Sequence, residues 1–244
     1  MNKRQILKLY HRAFVQSRKC SSQTIKSFED DFVEHHIPIN FFQRTILTVR
    51  LQERQLKYML GNMEESEEGT RILNERPRIN THTIDVDYLK KLPDETLGKT
   101  YSNFLEKNKV TPDSRMTVQF IDDIQLAYVI QRYREAHDLV HTVLQMPTHM
   151  LGEVTVKWVE AIQTRLPMCI GGAIFGPVRL KPKHRQLYVN HYLPWALKTG
   201  INAEFLMNVY FEKRWEQPLS EFYEEVNIEP LVLKERQKKS DKKA

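Results

Sequence analysis

The sequence predicts an all-α protein, one domain built from many helices. Apolar residues recur at steps of three and four through most of the chain, sustained strand-type alternation is scarce, and there are only eight glycines in 244 residues. At this length one domain is the expectation, large enough to bury its core without disulfides or a structural metal. Cys20 and Cys169 are the two cysteines, too few for a disulfide framework, which implies a reducing compartment.

The first 28 residues carry seven basic side chains and no acid. Ile6, Leu7, Leu9, Tyr10, Phe14 and Val15 are spaced to share a helix face, so residues 1–28 read as a mitochondrial transit peptide. A disordered basic arm is the alternative, and it has no need of the apolar stripe. Residues 29–233 form the predicted helical domain. Ile39 to Met63 has helical spacing, Glu64 to Gly69 is an acidic break, and Pro77 and Pro93 bound a long irregular or docking loop. A short helix is expected from about Asp94 to Lys107, then a turn at Thr111, Pro112 and Asp113. Asp122 with Gln125 opens a long helix as a capping box, running towards Met146 and stopped by Pro147. The next helix covers about His149 to Gln163, and Pro167 opens an apolar one. Pro182 to Lys198 and Asn202 to Arg214 read as two more, and Pro218 precedes a last short helix. Residues 234–244 are a basic tail predicted to be disordered.

The net charge of +6 sits at the ends, because the first 28 residues are +7 and the tail +4, leaving residues 29–233 at −5. An acidic body, without a finger, helix-turn-helix or aromatic-basic platform, excludes nucleic acid as the partner. No phosphate loop, GxSxG nucleophile or dinucleotide fingerprint occurs.

Among nine histidines, His137 and His141 stand four residues apart, which places both imidazoles on one helix face. Tyr133, Val140 and Leu144 flank them on the stripe that should face the core, where bare imidazoles would be unpaired polar groups. They are either metal ligands or core histidines bonded to carbonyls. The break at Met146-Pro147 favours ligands, since a compact turn there returns Glu153 against the pair as a third ligand, with Asp138 as the fourth. Imidazole with carboxylate suits Zn²⁺ best, with Fe²⁺ and Mn²⁺ as alternatives. The HDxxH order lacks the glutamate base of HExxH peptidases.

Leu166 to Val178 is a thirteen-residue run without charge. A bilayer span needs about 20 apolar residues, so this is not one. It is either a buried helix whose glycines allow close packing, or one wall of a groove for a long apolar chain, with Cys169, Gly171, Gly172 and Gly176 leaving room for the tail. Arg132, Arg134 and Arg179 are candidates to hold an anionic head group, or they pair with acids such as Glu135. Trp158, Trp195 and Trp215 read as core or interface anchors.

The stretch HDLVHTVLQMPTHMLGE (137–153) resembles the HDxxH-to-Glu signature of the fourth coenzyme Q biosynthesis protein family, the ubiquinone biosynthesis protein 4 homologs. Similar segments are IPINFFQRTILTV (37–49), RILNERPRI (71–79), FIDDIQLAYVIQRYREAHD (120–138), KWVEAIQTRLPMCIGGAIFGPVRL (157–180), LPWAL (193–197) and YFEKRWEQPL (210–219). The resemblance implies a mitochondrial protein bound peripherally to the matrix side of the inner membrane, within a multiprotein ubiquinone-synthesis complex that it helps to organise. It implies zinc on His137, Asp138, His141 and Glu153. It also implies a lyase that removes the C1 carboxylate from a polyprenylated 4-hydroxybenzoate intermediate, with hydroxylation of the same carbon coupled. The competing expectation is a non-catalytic scaffold that holds the isoprenoid tail, with a structural zinc. One departure stands out: family members carry an extra segment after the LTV of the first helix, whereas here Val49 runs through RLQER into QLKYML, as in a shortened form.

Overall fold

A computed structural model describes residues 41–114, 117–118 and 121–233. The expected transit peptide at 1–28 and the basic tail at 234–244 lie outside the described residues. Among the described residues the secondary structure is helical, and the one β-type contact is an isolated bridge between Thr96 and Pro218.

Helix α1, Phe41–Glu64, runs unbroken through Val49, where the extra family segment was expected. It buries Leu56, Met59 and Met63, three positions one helical turn apart. The acidic break expected after it is partly a helix start. Ser66 caps α2, Glu67–Glu75, by accepting from the Gly69 amide at 3.2 Å, and Glu67 and Glu68 lie in its first turn, where the helix dipole favours acids. The loop bounded by Pro77 and Pro93 contains only the short α3, Val86–Leu89, and docks through buried Ile79, Ile84 and Leu89. Thr96 caps α4, Leu97–Asn108.

The central element is α5, Ile124–Val143, almost wholly buried from Tyr128 onward. Its cap is Asp123, which accepts from the Gln125 and Leu126 amides, rather than Asp122. A helix buried on all sides must pair every polar group that it carries. Arg132, 1% exposed, meets Glu212 and donates to the Val209 carbonyl at 3.0 Å. Glu135 takes Arg78 at 2.6 Å, Gln131 at 2.7 Å and the Ile79 amide at 2.9 Å. Arg132 and Glu135 are therefore structural pairs with partners from distant segments.

Helix α6, Met150–Thr164, returns alongside α5, and α7, Pro167–Phe175, packs on α6. The expected helix from Pro182 to Lys198 is split into α8, Pro182–Leu187, a π-helical turn, Tyr188–Tyr192, and α9, Leu193–Asn202. Beyond Asn202 the expected helix is replaced by short 3₁₀ turns, Leu206–Asn208 and Phe211–Lys213. The backbone there makes only i→i+3 bonds within itself, such as Asn208 to Phe205 and Lys213 to Tyr210, and gives other groups to distant elements. Gln163 accepts from the Leu206 amide, Glu68 from the Tyr210 amide, and Arg132 donates to Val209. Last comes α10, Leu219–Glu225. Trp215 stacks on Tyr101, and Trp195 donates to the Glu229 carbonyl.

Candidate metal centre

The connection from α5 to α6 sets the site. Gln145 has φ 52°, the Met146 amide bonds back to the His141 carbonyl at 2.9 Å, and the Gln145 amide bonds to Thr142 at 3.0 Å, a Schellman ending. His149 caps α6, its Nδ1 accepting from the Gly152 amide at 3.4 Å. A Cβ on Gly152 would stand 1.9 Å from the Pro147 carbonyl oxygen, so glycine lets the turn close. The compact turn expected at Met146-Pro147 is present, and it delivers Glu153 to the histidines.

His137 Nε2 lies 3.9 Å from Glu153 Oε2, and His141 Nε2 lies 3.3 Å from Glu153 Oε1. One ligand atom from each of the three residues falls within 4.8 Å of the others. Both imidazoles are fixed from behind: His137 Nδ1 meets Glu160 Oε1 at 2.5 Å and His141 Nδ1 meets the Met146 carbonyl at 3.1 Å. A carbonyl only accepts, so Nδ1 of His141 carries a proton and Nε2 is the nitrogen turned towards Glu153. That Nε2 is buried and, among the described residues, has no well-formed hydrogen bond, although the Glu153 carboxylate is close. A metal ion at this point would take the lone pair of that nitrogen and the carboxylate oxygen together. Imidazoles whose second nitrogen is bonded to a carboxylate or carbonyl are the usual form of metal-ligating histidine. The donor set and the orphaned Nε2 both fit a divalent ion.

Asp138, buried at 7% exposure on the same helix, stands outside that group of three ligand atoms. Glu153 has 36% of its side chain exposed against 9% and 1% for the histidines, so the site is open on the Glu153 side. Burial alone would lift the Glu153 carboxyl, but His141, His137 and Lys157 together hold it below the ordinary carboxylate range.

Behind the ligands lies a polar cluster that sequence reasoning did not anticipate. Glu160, 4% exposed, accepts from Lys157 Nζ at 2.6 Å and the Tyr133 hydroxyl at 2.9 Å as well as from His137. Burial opposes its charge, yet His137 and Lys157 outweigh burial and keep the carboxyl well below its usual range. Helical spacing carried the signal: Tyr133 precedes His137 by four residues, while Lys157 and Glu160 follow Glu153 by four and seven.

The four groove residues take different positions. Cys169 is fully buried with its thiol 3.0 Å from the Tyr133 hydroxyl, and burial, with Glu160 nearby, pushes it up to about 12. A Cβ on Gly172 would meet the Lys157 stem at 3.2 Å, one on Gly176 would meet Val154 at 2.5 Å, and one on Gly171 would meet nothing within 4 Å. Gly171 alone of the four thus faces open space.

The sequence profile of the coenzyme Q (ubiquinone) biosynthesis protein Coq4 matches residues 50–232. A Bombyx mori protein named ubiquinone biosynthesis protein COQ4 homolog, mitochondrial, is 58% identical over 182 residues, covering 75% of this chain and 70% of its own length. An Aedes aegypti protein of the same name is 50% identical over 232 aligned positions, covering 86% of this chain and 85% of that one. Those positions outnumber the residues this chain supplies, so that relative holds residues without a counterpart here. A crystal structure of a Nostoc punctiforme protein, provisionally assigned to ubiquinone biosynthesis, superposes with TM-score 0.58 at 18% identity, over 92% of this chain and 97% of that one, a likeness of fold.

Proposed function

The chain belongs to the Coq4 family of coenzyme Q (ubiquinone) biosynthesis proteins, and from that premise we propose that it is a metal-dependent lyase. It removes the C1 carboxylate of a polyprenylated 4-hydroxybenzoate intermediate, with hydroxylation of the same carbon coupled. The observation that carries this reading is the convergence of His137, His141 and Glu153 at a site open beside Glu153, with both Nδ1 atoms already bonded. Three gathered ligands with an open side are the pattern of catalytic zinc, whereas structural zinc is closed by four protein ligands. Asp138, the fourth ligand that the family resemblance implies, stands outside the three gathered here.

A bound Zn²⁺, or Fe²⁺ or Mn²⁺ in its place, would supply Lewis acidity towards the oxygens of the substrate, and the coupled hydroxylation would need dioxygen as oxidant and oxygen source with an electron carrier beyond zinc. The protein's own groups do the positioning. Glu160 and the Met146 carbonyl hold both imidazoles with Nε2 forward, and Lys157, one turn beyond Glu153, sets a positive charge beside the site for an anionic ring. The isoprenoid tail lies along the Gly171 side of α7. We place the protein on the matrix side of the mitochondrial inner membrane, bound peripherally among the other enzymes of the pathway. No helix among the described residues is long and apolar enough to cross a membrane, in keeping with peripheral binding.

The test is decarboxylation of a short-tailed substrate analogue by the purified, metal-loaded protein. Activity that disappears in Glu153→Gln, while the variant keeps its helical signal, supports the lyase. Absence of product with each of the three metals leaves the scaffold reading.

A further inference from the structure

From Ala161 to Ala203 the chain runs through 43 residues without one aspartate or glutamate, carrying Arg165, Arg179, Lys181, Lys183, Arg185 and Lys198. The rest of the body is correspondingly acidic, so charge is strongly divided across the fold. The same stretch gathers exposed apolar side chains. Met168 is 61% exposed, Ile174 52%, Val178 71% and Val189 58%, with Ile170 and Phe175 also exposed. Helix α7 buries only Cys169 and Ala173, one narrow stripe, and turns Met168, Ile170, Ile174 and Phe175 of an uncharged helix outward. An apolar patch rimmed by cations, in a protein with an acidic remainder, complements a surface that is both apolar and anionic.

We infer that the outward face of α7, the turn after it and α8 docks onto the surface of a bilayer containing anionic lipid. Met168, Ile174, Phe175 and Val178 enter the headgroup boundary, while Arg179, Lys181, Lys183 and Arg185 meet lipid phosphates. The inference rests on the peripheral-membrane reading above and names the face that carries it. It also gives the metal centre an orientation. α7 lies against α6 through Gly172 and Lys157, and Lys157 is one turn from Glu153, so a substrate whose tail stays in lipid meets the open side of the site at the membrane surface.

The test is flotation of the full-length protein with vesicles of equal parts phosphatidylcholine and phosphatidylglycerol, and with phosphatidylcholine alone. Binding is expected to the first and to weaken with salt. Ile174→Glu/Phe175→Glu and Lys181→Glu/Lys183→Glu should each lower the partition coefficient about tenfold or more, at roughly fivefold per basic residue lost near the surface. Ile124→Glu, which alters an exposed apolar residue elsewhere on the fold, should leave it unchanged. The altered side chains lie outside the buried stripe of α7, so folding is expected to persist, checked by circular dichroism. A polarity-sensitive probe on Val178→Cys, in a Cys20→Ser background, should shift to the blue when vesicles are added. Wild-type binding with both double variants unaffected and no probe shift would overturn the face while sparing the peripheral reading, and no vesicle binding at all would overturn both. A dimer that dissociates in Ile174→Glu/Phe175→Glu without lipid would make a second copy the occupant and also overturn the inference.

Discussion

Replacing Glu160 by glutamine removes one negative charge from a site where three donors converge, at 2.5 Å from His137, 2.6 Å from Lys157 and 2.9 Å from Tyr133. An amide offers one oxygen and one NH₂ group, so it can accept from His137 or from Lys157 and Tyr133, but not from both sides at once. Lys157, with 18% of its side chain exposed, loses its counter-ion. Breaking a buried pair in this way typically costs about 3–5 kcal/mol. At about 2–4 °C per kcal/mol for a domain of this size, Tm falls by roughly 10 °C. The second effect is on the metal, because His137 Nδ1 is no longer held by a carboxylate, and affinity should fall about 10- to 100-fold. Denaturant unfolding of the metal-free protein measures the first effect, and Zn²⁺ competition against a chromophoric chelator measures the second. The double variant Lys157→Met/Glu160→Gln separates them, since removing the orphaned ammonium should restore much of the stability and none of the affinity. Unchanged Zn²⁺ affinity in the single variant, or affinity that returns in the double one, would refute the assignment of Glu160 as the residue that positions His137.

Other consequences concern the fold. Gly152→Ala, whose new methyl would collide with the Pro147 carbonyl oxygen, should destabilise by about 3 kcal/mol, whereas Gly171→Ala, with open space around it, should gain about 0.5–1 kcal/mol of helix preference; urea melts decide both. Glu75 is depressed from 4.5 to about 2 by donation from Lys213, Tyr210 and Arg71. Its contribution is therefore complete above pH 4.5 and is lost as pH falls towards 2, so Glu75→Gln should make stability less dependent on pH within that window and little else, as acid titrations of unfolding will report. The Cys169 thiol, pushed up to about 12 by burial, should resist iodoacetamide at pH 8 in the native protein and react on unfolding; rapid native labelling in a mass spectrum would contradict its placement.

The long central helix, the turn at Met146-Pro147 and the pairing of the histidines with Glu153 were legible because each depends on local spacing. A four-residue step fixes a helix face, and a proline after a helix fixes where the chain turns. Harder to read were features decided by partners far away in sequence. The stretch after Asn202 has helical spacing, but its amides and carbonyls are claimed by Glu68, Gln163 and Arg132, so it settles into short turns. Arg132 itself read as a holder of an anionic head group or a partner of acids such as Glu135, and its partner is the distant Glu212. Asp122 and Asp123 are adjacent acids, and composition does not say which of them reaches the Gln125 amide. Glu160 and Lys157 were within reach of a spacing argument, since both share the α6 face of Glu153. They read as ordinary helix charges only because their burial was not visible.

The central claim is that the ion held by His137, His141 and Glu153 acts at C1 of the ring. Its most direct measurement is the profile of ubiquinone intermediates in cells whose sole copy carries Glu153→Gln, a nearly isosteric change that removes a ligand charge and leaves the α5–α6 turn intact. The account predicts that ubiquinone disappears and that a polyprenylated intermediate still bearing its C1 carboxylate accumulates, with the other enzymes of the pathway still co-purifying. Normal ubiquinone in those cells, or a loss of every intermediate together with the partners and no selective block at C1, would contradict it.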